Sequence, residues 1–266
     1  MSIIKYNDVV IGANGWGITT TGISALNASI NFSNNLQPLY AIGQANAVSV
    51  VPNGPIQGTA SLSYYLTGAD PLYTAFTYAA AGGNLTTPMT VGWGNVVLTG
   101  CYLKSYSASA SQNQVAQASV EFGVYMTQWA GTAVTAGTAG TATNSPIGHG
   151  ANTAVTYDGA AVSDSLSFNL QGTNSYEETY ILGQSTPVFP LVRSSSVTSL
   201  TLVGYNLAKA ITICGTDATG VVTLNDLCGG GAIQAYTVTG KVGTSNLTVD
   251  AGGAVQGEVQ IISYTY

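Results

Sequence analysis

Charge is the scarcest property of this sequence. Lys, Arg, Asp and Glu make up 6% of its 266 residues, against ~25% in soluble domains generally. Surface polarity must therefore come from Ser, Thr, Asn, Gln and the backbone. A surface with so little charge repels its neighbours weakly, which suits a subunit that copies of itself will cover. The five cations, Lys5, Lys104, Arg193, Lys209 and Lys241, are scattered along the chain, and the net charge is −6. That balance excludes a grip on a phosphate backbone, which needs clustered Lys and Arg.

Histidine is almost missing. His149 stands alone in a Gly/Ala/Thr-rich stretch, where nothing would hold it rigidly beside a nucleophile, so it reads as a solvated loop residue and no catalytic triad is expected. Cysteine is nearly as sparse: Cys101, Cys214 and Cys228 are odd in number and lack metal-ligand spacing. Cys214 and Cys228 could pair, although small buried thiols in a reduced compartment are the simpler reading. Neither a metal nor a cofactor is expected. A run of about 20 apolar residues is also lacking, so no spanning helix is expected, and the opening MSIIKYNDVV does not have the layout of a signal peptide.

The remaining acidic residues form no convincing site. Glu177 and Glu178 are adjacent, and on a strand such neighbours point to opposite faces. Asp217, Asp226 and Asp250 are too spread for a calcium loop. Gly229-Gly230-Gly231 has no Lys of a phosphate-binding loop beside it. Tyrosine, at 16 residues, is plentiful. It could form a sugar-stacking platform, but its apolar body and polar tip fit a core or a subunit interface better.

What the sequence has in quantity is alternation. Between Cys101 and Met126, two alternating runs flank the turn Gln112-Asn113-Gln114. Ala116, Ala118, Val120, Phe122 and Val124 point one way, while Gln117, Ser119 and Glu121 point the other. A period of two predicts a hairpin with one buried and one wet face. The chain closes on a similar stretch, Lys241 to Tyr266. There Val255, Gly257, Val259 and Ile261 alternate with Gln256, Glu258 and Gln260 around the turn Asp250-Ala251-Gly252-Gly253.

Other strands are expected at 2–6, 26–33, 39–42, 58–66 and 89–98, and again from Val155 onward. The spacing predicts a single clear helix over 70–81, with Asp70 as cap, Pro71 at the first helical position and Gly82-Gly83 as the stop. Residues 129–150 read as a linker or exposed loop.

The second half echoes the first. Ser165 to Asn169 resembles Ser29 to Ser33, Tyr180 to Gln184 resembles Tyr40 to Gln44, and Ser199 to Leu202 resembles Ser61 to Tyr64. Pro187 and Pro190 fall near the place of Pro52 and Pro55, and Val259 and Ile261 fall on Val120 and Phe122. Five landmarks in one order, spaced by roughly 136 to 140 positions, predict an internal duplication. Its expected form is a mainly β chain: a first copy at 1–128, a linker at 129–150 and a second copy at 151–266, each a β-sandwich or barrel. A flanking helix is expected in both copies but is clear only in the first.

The hairpin of small alternating residues, Leu103 to Ser109 and Val115 to Phe122, together with Asp70-Pro71-Leu72-Tyr73, resembles the tail tube (major tail) proteins of tailed bacteriophages. The resemblance covers both halves and rests on pattern. It implies a β-sandwich or small barrel with one flanking helix, stacked as rings whose sheets join to line a lumen. A chain with two copies would form trimeric rings of pseudo-sixfold symmetry in the virion, after synthesis in the host cytoplasm.

The partners implied are further copies, the tail proteins at the tube ends and, where the tail contracts, a sheath. DNA would pass through without specific binding, so a polar, neutral-to-acidic wall is expected. Gln117, Ser119, Glu121, Gln256, Glu258 and Gln260 are the expected lumen-facing residues. The competing readings are another virion β protein, such as a capsid decoration or neck component, or a glycan-binding adhesin; a hydrolase on a β scaffold ranks last.

Overall fold

A computed structural model describes residues 11–128 and 147–266, apart from 17, 24, 34–35, 45, 53–56, 94–95, 183, 185, 206, 208–214, 227–230 and 250–254. The expected strand at 2–6, Cys214, Cys228 and most of the expected linker lie outside these residues. Of that linker, Gly148, His149 and Gly150 open a strand.

The protein is mainly β. Its strands are β1 (Ile11–Gly15), β2 (Ile18–Ile23), β3 (Ala25–Ser33), β4 (Leu36–Leu39), β5 (Ser49–Pro52), β6 (Gln57–Tyr65), β7 (Met89–Trp93), β8 (Val96–Ser111) and β9 (Gln117–Gln128). They continue as β10 (Gly148–Tyr157), β11 (Ala160–Ala161), β12 (Ser165–Glu177), β13 (Val192–Gly204), β14 (Asp217–Asp226), β15 (Ala232–Val249) and β16 (Val255–Thr265). The helix α1 (Pro71–Ala80) begins where the sequence places it. The Asp70 side chain accepts from the Leu72 N–H, Pro71 occupies the first turn, and Gly82 leaves with φ +77°. Leu72, Ala75, Phe76 and Ala79 form its buried face, which packs on β8, β12, β13 and β2. Gly172 of β12 makes room for it: a Cβ there would lie 2.2 Å from the Phe76 ring.

Among the described residues fourteen strands join one antiparallel sheet, while β4 and β5 pair apart from it. Within the large sheet one strand order occurs twice. The first half runs β2-β1-β7-β8-β9-β6-β3 and the second runs β11-β10-β14-β15-β16-β13-β12. Taken in chain order, every large-sheet strand of one half has its counterpart in the other, while β4 and β5 have none among the described residues.

The registers agree in detail. Ala28 pairs with Leu62 and Phe168 with Leu202, 140 positions on in both strands. A β-bulge interrupts the first pair between Ala25 and Asn27, and the second between Ser165 and Ser167. In the hairpins Leu103 pairs with Phe122 and Val242 with Ile261, 139 positions on. A bulge follows at once in each, between Leu103 and Ser105 and between Val242 and Thr244. Bulges fix register and bend the strand, so two in matching places are far more specific than composition. Pairing also moves the equivalent of Ser29 to Asn169, four positions beyond the match that side-chain types suggest. In so Ser- and Asn-rich a strand several alignments look alike.

The two halves are sewn together by β8, whose N-terminal part pairs with β7 and whose C-terminal part, Ser105 to Ser111, pairs with Thr173 to Ser167 of β12. At the far end β10 returns to the first hairpin. Gly148 donates to the Leu66 carbonyl at 2.9 Å and accepts from the Ala116 N–H at 2.8 Å. One continuous core results, from Ala13 to Ile261.

Two boundaries differ from the sequence reading. Leu39 ends β4, and Tyr40 to Gln44 form a turn in which the Gln44 N–H donates to the Ala41 carbonyl and Gly43 takes φ +87°. The strand expected over 89–98 is two strands, β7 and the start of the sixteen-residue β8. The poor helix counterparts at 206–212 and 224–228 lie partly outside the described residues; of them, Leu224, Asn225 and Asp226 end β14.

Candidate assembly surface

One face of the sheet is dry. Ala60, Leu62, Tyr64, Leu103, Tyr106, Ala118, Val120 and Phe122 are buried on it in the first half, and Phe168, Leu170, Leu200, Leu202, Val259 and Ile261 in the second. The opposite face holds all six residues expected to line a lumen. Directly opposed residues of antiparallel strands share a face, and Gln117, Ser109, Asn169, Thr201 and Gln260 form one such row across five strands. Ser119 lies opposite Ser107, and Glu121 opposite Ser105. Glu258 lies between Val203 and Asn246, and Gln256 opposite Thr248. Gln117, Ser119 and Glu121 are exposed, and Gln256, Glu258 and Gln260 half-buried. The structure thus brings both groups of three onto one wall, whose cross-strand partners are chiefly Ser, Thr and Asn.

Beneath this wall, on the dry side, a buried polar network binds the halves. The Asp70 carboxylate accepts from Tyr64 Oη at 2.7 Å and from Tyr106 Oη at 2.7 Å, besides the Leu72 N–H at 2.9 Å. Tyr106 and Tyr236 hydroxyls meet at 3.0 Å, and the Asp70 N–H donates to Gln234 Oε1 at 2.8 Å. Burial raises the Asp70 pKa, with the hydrogen bonds from Tyr106 and Tyr64 pulling it the other way. Burial first, then the neighbouring Asp70 charge, holds the Tyr64 and Tyr106 hydroxyls well above their ordinary pKa. These donors are locked into structure.

Two arms leave the sheet at matching places. In the first, the Val48 N–H donates to the Leu39 carbonyl; in the second, the Val188 N–H donates to the Thr179 carbonyl, both at 2.8 Å. Gln44 to Ala41 and Gln184 to Ile181 repeat the same tip, again 140 positions apart. Both arms carry exposed apolar side chains: Leu39, Tyr40, Ile42 and Val48 in one, Tyr180, Ile181 and Leu182 in the other.

The second arm lies on the first half. Its Glu178 accepts from the Tyr125 hydroxyl and from Gln57 Nε2, Lys104 Nζ stands 3.9 Å from the same carboxylate, and Phe189 stacks on Tyr102. The acidic pair expected to be a wet loop therefore splits. Glu177 is exposed at the end of β12, while Glu178 anchors the arm. Sequence reasoning missed this because Glu178's partners are 53 and 121 positions away. The Tyr180/Tyr40 echo was the available signal.

The remaining candidates do not converge. His149 lies in β10, bridged to Val115, and its Nδ1 accepts from the Ala151 N–H. A cleft of about 270 Å³ lined by Gln112, Thr153, Asp164 and Tyr205 is smaller than most small-molecule sites. Among the described residues no group of three His, Cys, Asp or Glu side chains could hold a metal ion, and no helix is long and apolar enough to cross a membrane. No family model and no curated protein matches this chain.

Proposed function

We propose that this chain is a structural virion subunit with a duplicated tube-type domain, assembling with copies of itself into stacked rings that form the tail tube of a tailed bacteriophage. The observation that carries this reading is the strand order that occurs twice and is joined edge to edge through β8 and β12. Each half is one seven-strand unit, and the sheet of one unit passes without interruption into the next. Three chains would supply six units per ring, the wall with Glu121 and Glu258 facing the bore. A bore wall rich in Ser, Thr, Asn and Gln offers DNA no fixed cationic grip, which lets it slide. Low surface charge and apolar arms fit a subunit largely covered by its own kind.

Negative-stain microscopy of the purified protein tests the reading. Rings with six-lobed projections, or tubes built from them, are expected. A protein that stays monomeric at high concentration, coats capsid shells or binds glycans as a small oligomer would overturn it.

A further inference from the structure

The joint inside the chain is a template for a joint between chains. It consists of the β12 edge laid on Ser105 to Ser111 of β8. The counterpart of β12 is β3, and that of Ser105 to Ala110 is Thr244 to Val249 of β15. Among the described residues Ala28 to Ser33 of β3 pair only with β6, and beyond Val242 β15 pairs only with β16. The two halves of a second joint thus stand, among the described residues, without a partner strand at opposite ends of the path β3-β6-β9-β8-β12-β13-β16-β15.

Their side chains are those of an interface without its partner. Phe168 and Leu170 are 3% and 0% exposed, while their counterparts Ala28 and Ile30 are only partly buried. Ala108 and Ala110 are 1% and 5% exposed, while Leu247 and Val249 reach 47% and 62%. Neither edge carries a charged residue or a Pro within Ala28 to Ser33 or Thr244 to Val249, the devices that ordinarily keep strand edges apart.

We propose that β3 of one copy pairs antiparallel with Thr244 to Val249 of β15 in the next, in the register of the internal joint. Phe32 then faces Ser245, Ile30 faces Leu247 and Ala28 faces Val249 on the dry side. Ser33, Asn31 and Ser29 face Thr244, Asn246 and Thr248 on the wet one. The volumes complement each other with the roles exchanged. Inside the chain Gly172 faces Tyr106 and Phe168 faces Ala110; between chains a large Phe32 meets a small Ser245, and a small Ala28 meets a larger Val249.

The same correspondence of positions gives the first arm a seat. The second arm covers Tyr125, which is 2% exposed, whereas its counterpart Tyr264 is 58% exposed. The arm from Leu36 to Val50, with its exposed Leu39 and Tyr40, lies over Tyr264 of the next copy. The contact is head to tail, so repetition closes a ring or winds a filament.

This joint rests on the tube reading only in taking a second copy as the partner, and one experiment separates the two. In the full chain, Ser29→Cys and Thr248→Cys are made singly and together, with Ser29→Cys plus Asn246→Cys as the slipped control. All three positions are exposed strand residues on the wet face, so folding is retained. Mild oxidation of the assembled double variant is expected to give a ladder of covalent multimers. It should form on the order of 10²-fold faster than in the slipped pair, because only directly opposed strand residues bring their Cβ atoms close to disulfide reach, while diagonal neighbours stay too far apart. Hydrogen exchange of the unaltered protein should show the amides of β3 and 244–249 becoming protected together on assembly. Rings or tubes that form without this cross-link, or without this protection, would overturn the joint and leave the tube reading standing. Chains that cross-link in this register yet build no ring or tube would support the joint and remove the tube.

Discussion

Tyr106 and Tyr236 meet hydroxyl to hydroxyl at 3.0 Å although they stand 130 positions apart, one in each half of the chain. Their contact hangs on Asp70, which takes the Tyr106 proton donor and caps α1 with the same carboxylate. Helix start, first hairpin and second hairpin therefore share one buried group.

Replacing that group should be severe. Asp70→Ala removes the cap, worth about 1 kcal/mol, and leaves the Tyr64 and Tyr106 hydroxyls buried without their acceptor, at about 1–3 kcal/mol each. A loss of roughly 3–7 kcal/mol is expected from urea unfolding followed by tryptophan fluorescence. Tyr236→Phe deletes a single hydroxyl contact and should cost about 1 kcal/mol. If both variants lost the same small amount, the network would not be what holds the halves together.

The same tyrosines set an alkaline limit. Burial raises the pKa values of Tyr64, Tyr106 and Tyr236 above their ordinary value of 10.0. Groups with raised folded pKa values contribute stability that is complete below the unfolded value and lost as pH rises through the folded one. Above pH 10 the unfolded chain thus releases protons that the native protein retains, and stability falls by about 1.4 kcal/mol per pH unit for each such tyrosine. Absorbance at 295 nm, recorded against pH, should show these tyrosines ionising together with loss of the β circular dichroism signal. Ionisation with the fold intact would contradict it.

Cys101 is 0% exposed, and burial pushes its thiol up to about 12. Since the thiolate is the reactive form, Cys101 in a Cys214→Ser/Cys228→Ser background should ignore a disulfide reagent at pH 8. It should react stoichiometrically once guanidinium unfolds the protein. Rapid labelling of the native protein would place the residue elsewhere than in the core between β7, β8 and β9.

Which parts of this molecule the sequence announces follows from the range of the interactions involved. The helix is local: Asp70, Pro71 and Gly82 act within a few positions, and α1 lies between them. The wet and dry faces of β9 and β16 are also local, because alternation alone sets them, and all six wall residues fall on one side. Register is not local. Ser29 to Ser33 reads much like Ser165 to Asn169, and only cross-strand pairing with β6 and β13, bulges included, shows that the true match is shifted. The arms are harder still. Glu178 looks like half of a wet acidic pair until Tyr125, Gln57 and Lys104 are brought to it by the β8–β12 joint.

Charge reversal on the wall decides which way it faces. Glu121 and Glu258 lie on the wet face of the sheet, opposite Ser105 and Asn246, and neither contributes to the core. Glu121→Lys with Glu258→Lys should therefore leave the fold and the strand edges intact, so tubes should still assemble. Electron cryomicroscopy of such tubes is expected to show both lysine side chains projecting into the bore. A lumen so altered would carry a ring of cations in every layer, and cations bind phosphates by releasing condensed counterions. Short DNA should then be retained by the variant tubes at low salt and released as salt rises, while unaltered tubes retain none. Lysines found on the outer wall would reverse the orientation of the sheet and with it the assignment of all six residues.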